Sequence, residues 1–339
     1  MVTKISDKKS KKLGKSTYQF ENPPTIISSA TVTGPKEGVG PYGKYFDKVY
    51  GDTIIGEKSF EKAEAKMMED AVNLAMQKGD VTEKDIDVFL AGDLLNQTIT
   101  SNFNALQLGI PFLGLYGACS TFVESILLAS MLIDGNFAKK ALIATSSHNS
   151  SAERQYRFPT EYGGQRPPYS QHTVTGSGSA VLAYAGIGPK VTHGTIGKVM
   201  DMGIKDPWNM GAAMAPAAAD TIVNIFNDTN TTPDDYDLLV TGDLGLFGSK
   251  INEELIASQG IDISKIYQDC GAEIFDSTQD THSGGSGCAC CTVMSLGYFL
   301  KQDKYRKIIV VATGALHSPT TYQQGENIPT IAHGIIIQK

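Results

Sequence analysis

The strongest constraint on the fold of this chain is an internal repeat. The segment 81–94 (VTEKDIDVFLAGDL) aligns without a gap with the segment 231–244 (TTPDDYDLLVTGDL). The identical positions are Thr82/Thr232, Asp85/Asp235, Asp87/Asp237, Gly92/Gly242, Asp93/Asp243 and Leu94/Leu244. Because duplicated segments fold in the same way, the chain is predicted to consist of two similar halves.

Each copy of the repeat continues in the same manner. A turn of small residues opens a helical segment in both halves: Gly117-Ala118-Cys119-Ser120 in the first and Gly287-Cys288-Ala289-Cys290 in the second. A basic residue and an apolar strand follow, at 140–145 and at 307–313. Strand–helix–strand units of this kind form parallel sheets covered by helices. We therefore predict an α/β fold in which two sheets pack around shared helices, with halves at 23–190 and 191–339.

The N-terminal segment has a different composition. Few apolar residues lie among its lysines, which are Lys4, Lys8, Lys9, Lys11, Lys12 and Lys15. A segment that cannot bury apolar surface remains disordered, so residues 1–22 are predicted to form a disordered basic arm. The arm is interpreted either as a solvated tail or as a segment weakly attracted to an anionic membrane surface.

Charge and cysteine content exclude several classes of protein. The net charge of −7 argues against a nucleic-acid-binding protein. No apolar run reaches the roughly 18–20 residues of a membrane span, so a soluble protein made in the cytosol is expected. The five cysteines are an odd number, and Cys288, Cys290 and Cys291 are too close together for a zinc motif. Buried free thiols are the simpler interpretation.

Cys119 is the main candidate for a functional site. It lies where an apolar run (110–115) becomes a helix, and the N–H groups of a helix N-terminus favour a thiolate or a bound anion. The segment 146–169 follows the next strand and is rich in arginine and aromatic residues. It is expected to lie at the same end of the sheet as Cys119, where open α/β sheets bind ligands.

These motifs resemble those of the thiolase superfamily. Gly117-Ala118-Cys119-Ser120 is similar to the nucleophile motif of β-ketoacyl synthases, and 175–182 (TGSGSAVL) is similar to their glycine-rich strand entry. The resemblance implies a layered α-β-α-β-α arrangement. The enzymes use a second-half His with Asn or His, whereas this chain has Thr241-Gly242-Asp243 and 283–286 (SGGS) at the corresponding places. The condensing machinery is therefore expected to be lost, and Cys119 is expected to be a vestigial nucleophile.

Longer blocks are very similar to the stage V sporulation protein AD family. They are 91–97 (AGDLLNQ), 144–149 (ATSSHN), 158–164 (FPTEYGG), 213–220 (AMAPAAAD) and 284–290 (GGSGCAC). The resemblance implies a non-catalytic subunit that binds dipicolinate (pyridine-2,6-dicarboxylate) in a spore uptake and release system during sporulation and germination. It also implies other subunits of that system as partners, peripheral association with a spore membrane, and a homodimer that pairs through 104–113.

A flat dianion needs helix N–H groups and cationic side chains. The expected ligand-binding residues are Cys119, Asp93, His148, Arg154, Arg157, Glu161, Arg166, Asp243 and His282. Surface ion pairs remain the alternative for each arginine, and turn capping remains the alternative for both aspartates. No cofactor and no protein-held metal are expected, although the ligand could arrive as its calcium chelate. An acyltransferase that uses Cys119 on acyl thioesters is the alternative function. His317 and His333 are given structural roles unless they reach the pocket.

Overall fold

The computed structural model describes residues 11–156 and 166–339. Within them the strands are β1 (Lys12–Leu13), β2 (Thr17–Gln19), β3 (Thr25–Thr33), β4 (Lys48–Val49), β5 (Val88–Asp93), β6 (Phe112–Gly114), β7 (Lys140–Ser147), β8 (His172–Thr173), β9 (Gly176–Ala183), β10 (Lys190–Thr195), β11 (Leu238–Thr241), β12 (Tyr267–Asp269), β13 (Gly285–Ser286), β14 (Lys307–Ala315) and β15 (Thr330–Gln338). The helices are α1 (Pro35–Gly38), α2 (Phe60–Lys78), α3 (Ile99–Leu108), α4 (Thr121–Asp134), α5 (Asn149–Tyr156), α6 (Met210–Thr229), α7 (Gly245–Ala257), α8 (Cys270–Glu273), α9 (Cys288–Gly297) and α10 (Pro319–Gln323).

The main sheet repeats one strand order in its two halves. The first half runs β3-β9-β7-β5-β6 and the second runs β10-β15-β14-β11-β12. In each half the first three strands run antiparallel to one another, whereas the third, fourth and fifth strands run parallel to one another. The halves join where Lys190 of β10 pairs with Thr25 of β3. The predicted duplication is therefore a duplication of topology as well as of sequence.

The hydrophobic core separates the helices into layers. One buried cluster joins α4 and α9 to strands of both halves and includes Phe122, Ile126, Val293 and Met294. A second cluster packs α6 onto β11, β14 and β15, and a third packs α2 onto β5, β7 and β9. Helices thus cover both outer faces and also fill the space between the two half-sheets, which is the α-β-α-β-α arrangement of the thiolase-like fold.

The repeated residues perform the same tasks in both halves. Thr82 with Asp85, and Thr232 with Asp235, form capping boxes one turn before β5 and β11. Asp87 accepts backbone N–H groups from residues 139 and 140 at 2.6 and 3.0 Å, and Asp237 accepts those from residues 306 and 307 at 2.8 and 2.9 Å. These bonds fasten the start of each central strand to its neighbour, so the repeat is a structural module.

The structure corrects the prediction of a disordered arm at 1–22. Residues 11–22 are ordered, because β1 pairs with β2 and β2 pairs with β10. Lys11 Nζ also lies 2.7 Å from an Asp134 carboxylate oxygen. The first ten residues, with Lys4, Lys8 and Lys9, lie outside the described residues. Among the helices that the structure describes, none has the length and hydropathy to cross a bilayer.

Candidate ligand-binding site

The turn that carries Cys119 is held by its own hydroxyl groups. Ala118 has a φ of 50°, a left-handed conformation that alanine seldom adopts. The Ser120 hydroxyl donates to the Gly117 carbonyl and the Thr121 hydroxyl donates to the Ala118 carbonyl, both at 2.7 Å. A Cβ on Gly314 of β14 would lie 2.1 Å from the Gly117 oxygen, so the second half packs directly on this turn. The turn places Cys119 just before α4, where it is 5% exposed.

The equivalent turn of the second half faces the first. Gly287, with a φ of 104°, precedes Cys288 at the start of α9. The Cys288 thiol donates a hydrogen bond to the Ala118 carbonyl at 2.9 Å. Two helix N-termini related by the duplication therefore meet at Cys119.

A buried carboxylate lies at this meeting point. Asp243 accepts hydrogen bonds from the Thr313 hydroxyl at 2.7 Å, the Gly287 N–H at 2.9 Å and the Ser286 hydroxyl at 3.1 Å. It also contacts the Cys119 thiol. Burial raises the pKa of Asp243, although these hydrogen bonds oppose the rise. The carboxylate and the thiol therefore form one buried pair at the junction of the two halves.

The surroundings of Cys119 favour the protonated thiol. Burial raises the pKa of Cys119 well above its usual value, and the charge of Asp243 raises it further, while a hydrogen bond from the Gly287 N–H opposes the rise. A helix N-terminus stabilises an anion by about 0.3–1 kcal/mol. Full burial can shift a pKa by about 3–5 units, or about 4–7 kcal/mol, so burial dominates. The sequence argument that the turn favours a thiolate is therefore outweighed in this fold.

A small cavity lies beside the thiol. The described residues that line it are Leu94, Ala118, Cys119, Ala152, Tyr156, Thr173, Met210, Ser286, Ala315 and His317. Its volume is about 30 Å³, room for one or two water molecules. Entry of a flat dicarboxylate therefore requires part of the wall to move.

The part of the wall formed by α5 is held by polar contacts at its end. The Tyr156 and Gln155 side chains both donate to the Leu94 carbonyl, and Gln155 also accepts the Asn96 N–H at 2.9 Å. The Tyr156 and Tyr116 hydroxyls lie 2.7 Å apart. These bonds close the cavity, and Gln155 and Tyr116 are partners that sequence reasoning missed.

His317 is the imidazole that reaches the cavity. It follows β14, lies against the rings of Tyr156 and Tyr322 at centroid distances of 5.7 and 5.5 Å, and is 3% exposed. Sequence analysis gave it a structural role and predicted His148 instead. The sequence could have indicated His317 as a cavity residue, because His148 and His317 follow equivalent strands of the two halves.

The predicted residues of the first half lie in other surroundings. His148 is buried, with Nε2 2.8 Å from the Thr53 carbonyl oxygen and its ring against Phe60. Asp93 accepts the Ser101 N–H and hydroxyl at 2.8 and 2.7 Å, which is the capping alternative. Neither is among the described residues that line the cavity.

The predicted charged residues of the rim are dispersed. Arg154 is exposed and pairs with Glu61, which is the surface ion pair weighed as its alternative. Arg166 donates to the Asp280 carbonyl at 2.9 Å, and His282 Nε2 lies 3.6 Å from a carboxylate oxygen of Asp280. Arg157 and Glu161 lie outside the described residues. The structure therefore brings Cys119 and Asp243 together and leaves the other described candidates apart.

The cysteine and acidic side chains near the site do not form a metal-binding site in the part of the chain that the structure describes. No group of three or more His, Cys, Asp or Glu side chains there is arranged to hold a metal ion. All five cysteines are free and buried. The thiols of the second half therefore act as small core side chains.

Comparison with solved structures defines the class of protein. The chain superposes on 3-oxoacyl-[acyl-carrier-protein] synthase III from Aquifex aeolicus with a TM-score of 0.61 at 12% identity, over 93% of this chain and 100% of that one. Cerulenin-bound OleA from Xanthomonas campestris gives a TM-score of 0.59 at 13% identity, over 94% and 99% of the two chains. The fold is that of the thiolase-like condensing enzymes.

Sequence comparison identifies the family within this class. Residues 14–338 match the model of the stage V sporulation protein AD family. The chain is 52% identical to stage V sporulation protein AD of Bacillus subtilis (strain 168) over 329 residues, which are 96% of this chain and 97% of that protein. The chain therefore belongs to the stage V sporulation protein AD family.

Proposed function

We propose that this chain binds dipicolinate at the Cys119 cavity without catalysing a reaction on it. The observation that carries the proposal is the buried pair of Cys119 and Asp243. A condensing enzyme needs a thiolate and groups that stabilise an oxyanion. A carboxylate beside the sulfur raises the pKa of the thiol and so disfavours the thiolate that a condensing enzyme needs. Family membership, combined with this arrangement, supports binding rather than acyl transfer.

The cavity offers a dicarboxylate specific contacts once its wall has moved. Two helix N-termini converge beside Cys119, where their dipoles favour an anion, and His317 supplies an imidazole in the cavity wall. Displacing Tyr156 would enlarge the cavity at the end of α5. We therefore expect dipicolinate to bind by displacing the Tyr156–Leu94 and Tyr156–Tyr116 contacts.

Isothermal titration with dipicolinate tests this function. The wild-type chain should release or absorb heat, and Cys119→Phe should abolish the signal by filling the cavity. Arg154→Gln is the matched control, because Arg154 is exposed and paired with Glu61 and should not touch the ligand. No heat and no thermal protection of the wild type by dipicolinate or its calcium chelate would refute the proposal.

Acyl transfer through Cys119 is the second candidate function. It is favoured by His317, because this second-half imidazole lies in the wall of the same cavity as the sulfur. Incubation with acyl-CoA followed by intact-mass measurement separates the two candidates. A stable acyl adduct that is absent from Cys119→Ala would establish the enzyme, whereas an unmodified mass supports binding alone.

We also propose that the subunit acts as a homodimer within a membrane-associated transport assembly. Strand β6 is the free edge of the first half-sheet, and exposed apolar side chains accompany it: Phe103 and Leu106 on α3 and Leu113 on β6. Edge strands with exposed apolar residues tend to pair with another chain. Light scattering of Leu106→Asp should then give a monomer, whereas Val39→Asp, at a similarly exposed position, should leave the dimer intact. A wild-type monomer would contradict the proposal.

A further inference from the structure

Two neighbouring loops carry unusually exposed apolar side chains. Ile187 is 97% exposed and Phe137 is 81% exposed, the highest values among the large apolar side chains of the described residues. Phe137 lies between α4 and β7, and Ile187 lies between β9 and β10. Strands β7 and β9 pair at this end of the sheet, where the Tyr184 N–H donates to the Lys139 carbonyl at 2.9 Å. The two loops, with half-exposed Tyr184, form one surface, which we term the tip surface.

Lysines border the tip surface. Lys139 and Lys190 are exposed on the chain segments that lead from Phe137 and Ile187 into the sheet. Asp87 lies at the same end, but its carboxylate accepts the backbone N–H groups of residues 139 and 140. Two exposed lysines on flexible stems therefore flank the apolar tips.

The basic N-terminal segment enters the fold beside this surface. Lys11 Nζ lies 2.7 Å from Asp134, three residues before Phe137. Asp134 also accepts the Asn22 N–H at 2.8 Å, and Asn22 lies within 3.5 Å of the Tyr184 hydroxyl. Lys11, the first described residue, therefore lies beside the tip surface.

We propose that the tip surface docks onto an anionic phospholipid bilayer. Phe137 and Ile187 insert between the headgroups, while Lys139 and Lys190 face the anionic lipids. Shallow apolar insertion combined with a basic cluster is the pairing of signals that holds peripheral proteins on membranes. Scattered exposed apolar residues are ordinary, but here the two most exposed ones share a basic surface. The inference rests on the membrane association included in the proposed function.

This docking sets the direction in which the ligand site faces. Strand β7 runs from Lys140 at the tip surface to Ser147 at the end of the sheet near Cys119. Its eight residues span about 25 Å. The cavity therefore opens away from the bilayer, and changes at the tip surface should leave dipicolinate binding unchanged.

Co-sedimentation of the full chain with vesicles tests the inference. Vesicles of phosphatidylglycerol mixed with phosphatidylcholine should bind the wild type, and vesicles of phosphatidylcholine alone should bind it more weakly. The double variant Phe137→Ser with Ile187→Ser should bind the anionic vesicles at least tenfold more weakly. The matched control is Val39→Ser with Val199→Ser, since these side chains are 76% and 56% exposed on other surfaces.

The outcomes separate the alternatives. Selective loss in the tip variant, with an unchanged melting temperature, supports docking through this surface. Equal losses in both double variants, or none in the tip variant, contradict it. If the wild type does not bind anionic vesicles, the proposal that the tip surface docks onto a bilayer is wrong, and a protein partner is indicated instead. Calorimetry on the same samples reads dipicolinate binding separately, so failure of the ligand proposal is distinguishable from failure of this one.

Discussion

Replacing Asp243 by asparagine should make Cys119 more reactive. The Asp243 carboxylate contacts the thiol and raises the pKa of Cys119, after burial the largest contribution. A like charge in direct contact shifts a pKa by about 1–2 units. The fraction of thiolate at a fixed pH should therefore increase about 10- to 100-fold. Because the intrinsic reactivity of a thiolate falls as its pKa falls, the net alkylation rate should increase by only about 3- to 10-fold.

Asparagine preserves most of the local geometry. Its oxygen can accept the Gly287 N–H and Ser286 hydroxyl, which both bond one carboxylate oxygen, and its amide can donate to Thr313 if that hydroxyl rotates. The loss of charge-assisted hydrogen bonds should cost about 1–3 kcal/mol of stability. The variant is therefore expected to fold at room temperature, which circular dichroism would verify.

Timed alkylation with iodoacetamide and peptide mass spectrometry measures the effect. Cys119 is 5% exposed, whereas the other four cysteines are at most 1% exposed, so it should be the first thiol labelled in the native state. Glu37→Gln is the control, because it removes a buried carboxylate that does not contact Cys119. A folded Asp243→Asn variant whose Cys119 reacts at the wild-type rate, or more slowly, would refute the electrostatic argument.

Further predictions concern stability and packing. Glu37 is buried and its pKa is raised to about 7, mainly by burial. The raised pKa of Glu37 stabilises the fold at pH values below the unfolded-state pKa of 4.5, and this stabilisation is lost as the pH rises to about 7. Urea denaturation of the wild type should therefore show the unfolding free energy falling by up to about 3 kcal/mol over this pH range, and Glu37→Gln should not show this fall. Gly314→Ala should lower stability by about 1–3 kcal/mol, because its Cβ would overlap the Gly117 oxygen; an unchanged melting temperature would contradict this packing. Arg154→Gln should change stability by less than about 1 kcal/mol, as expected for an exposed ion pair; a larger loss would place Arg154 in a structural network.

The fold could be predicted because the repeated residues stabilise their local structure through contacts with residues close to them in sequence or on the neighbouring strand. Thr82 and Thr232 begin capping boxes, and Asp87 and Asp237 hold neighbouring strands through local backbone contacts. Such contacts depend on short stretches of sequence, so two matching copies predicted two matching half-sheets. The order of the segments also placed Cys119 correctly at the start of a helix.

The side chains around Cys119 were harder to predict, because they come from distant parts of the chain. His148 and His317 follow equivalent strands, yet His148 packs on Phe60 while His317 lines the cavity. Arg154 was favoured as a ligand contact for its charge, but a nearby helix presents Glu61 to it. Asp243 was among the predicted ligand-binding residues, and its contact with the sulfur depends on how the two halves meet. The composition of the site therefore depends on how the two halves pack together, which neither half of the sequence specifies alone.

The most direct measurement is a crystal structure of the full chain soaked with dipicolinate. The account predicts the ligand beside Cys119 and His317, with Tyr156 displaced from the Leu94 carbonyl and no covalent bond to the sulfur. Dipicolinate bound elsewhere with this cavity still closed, or a covalent adduct on Cys119, would contradict the account.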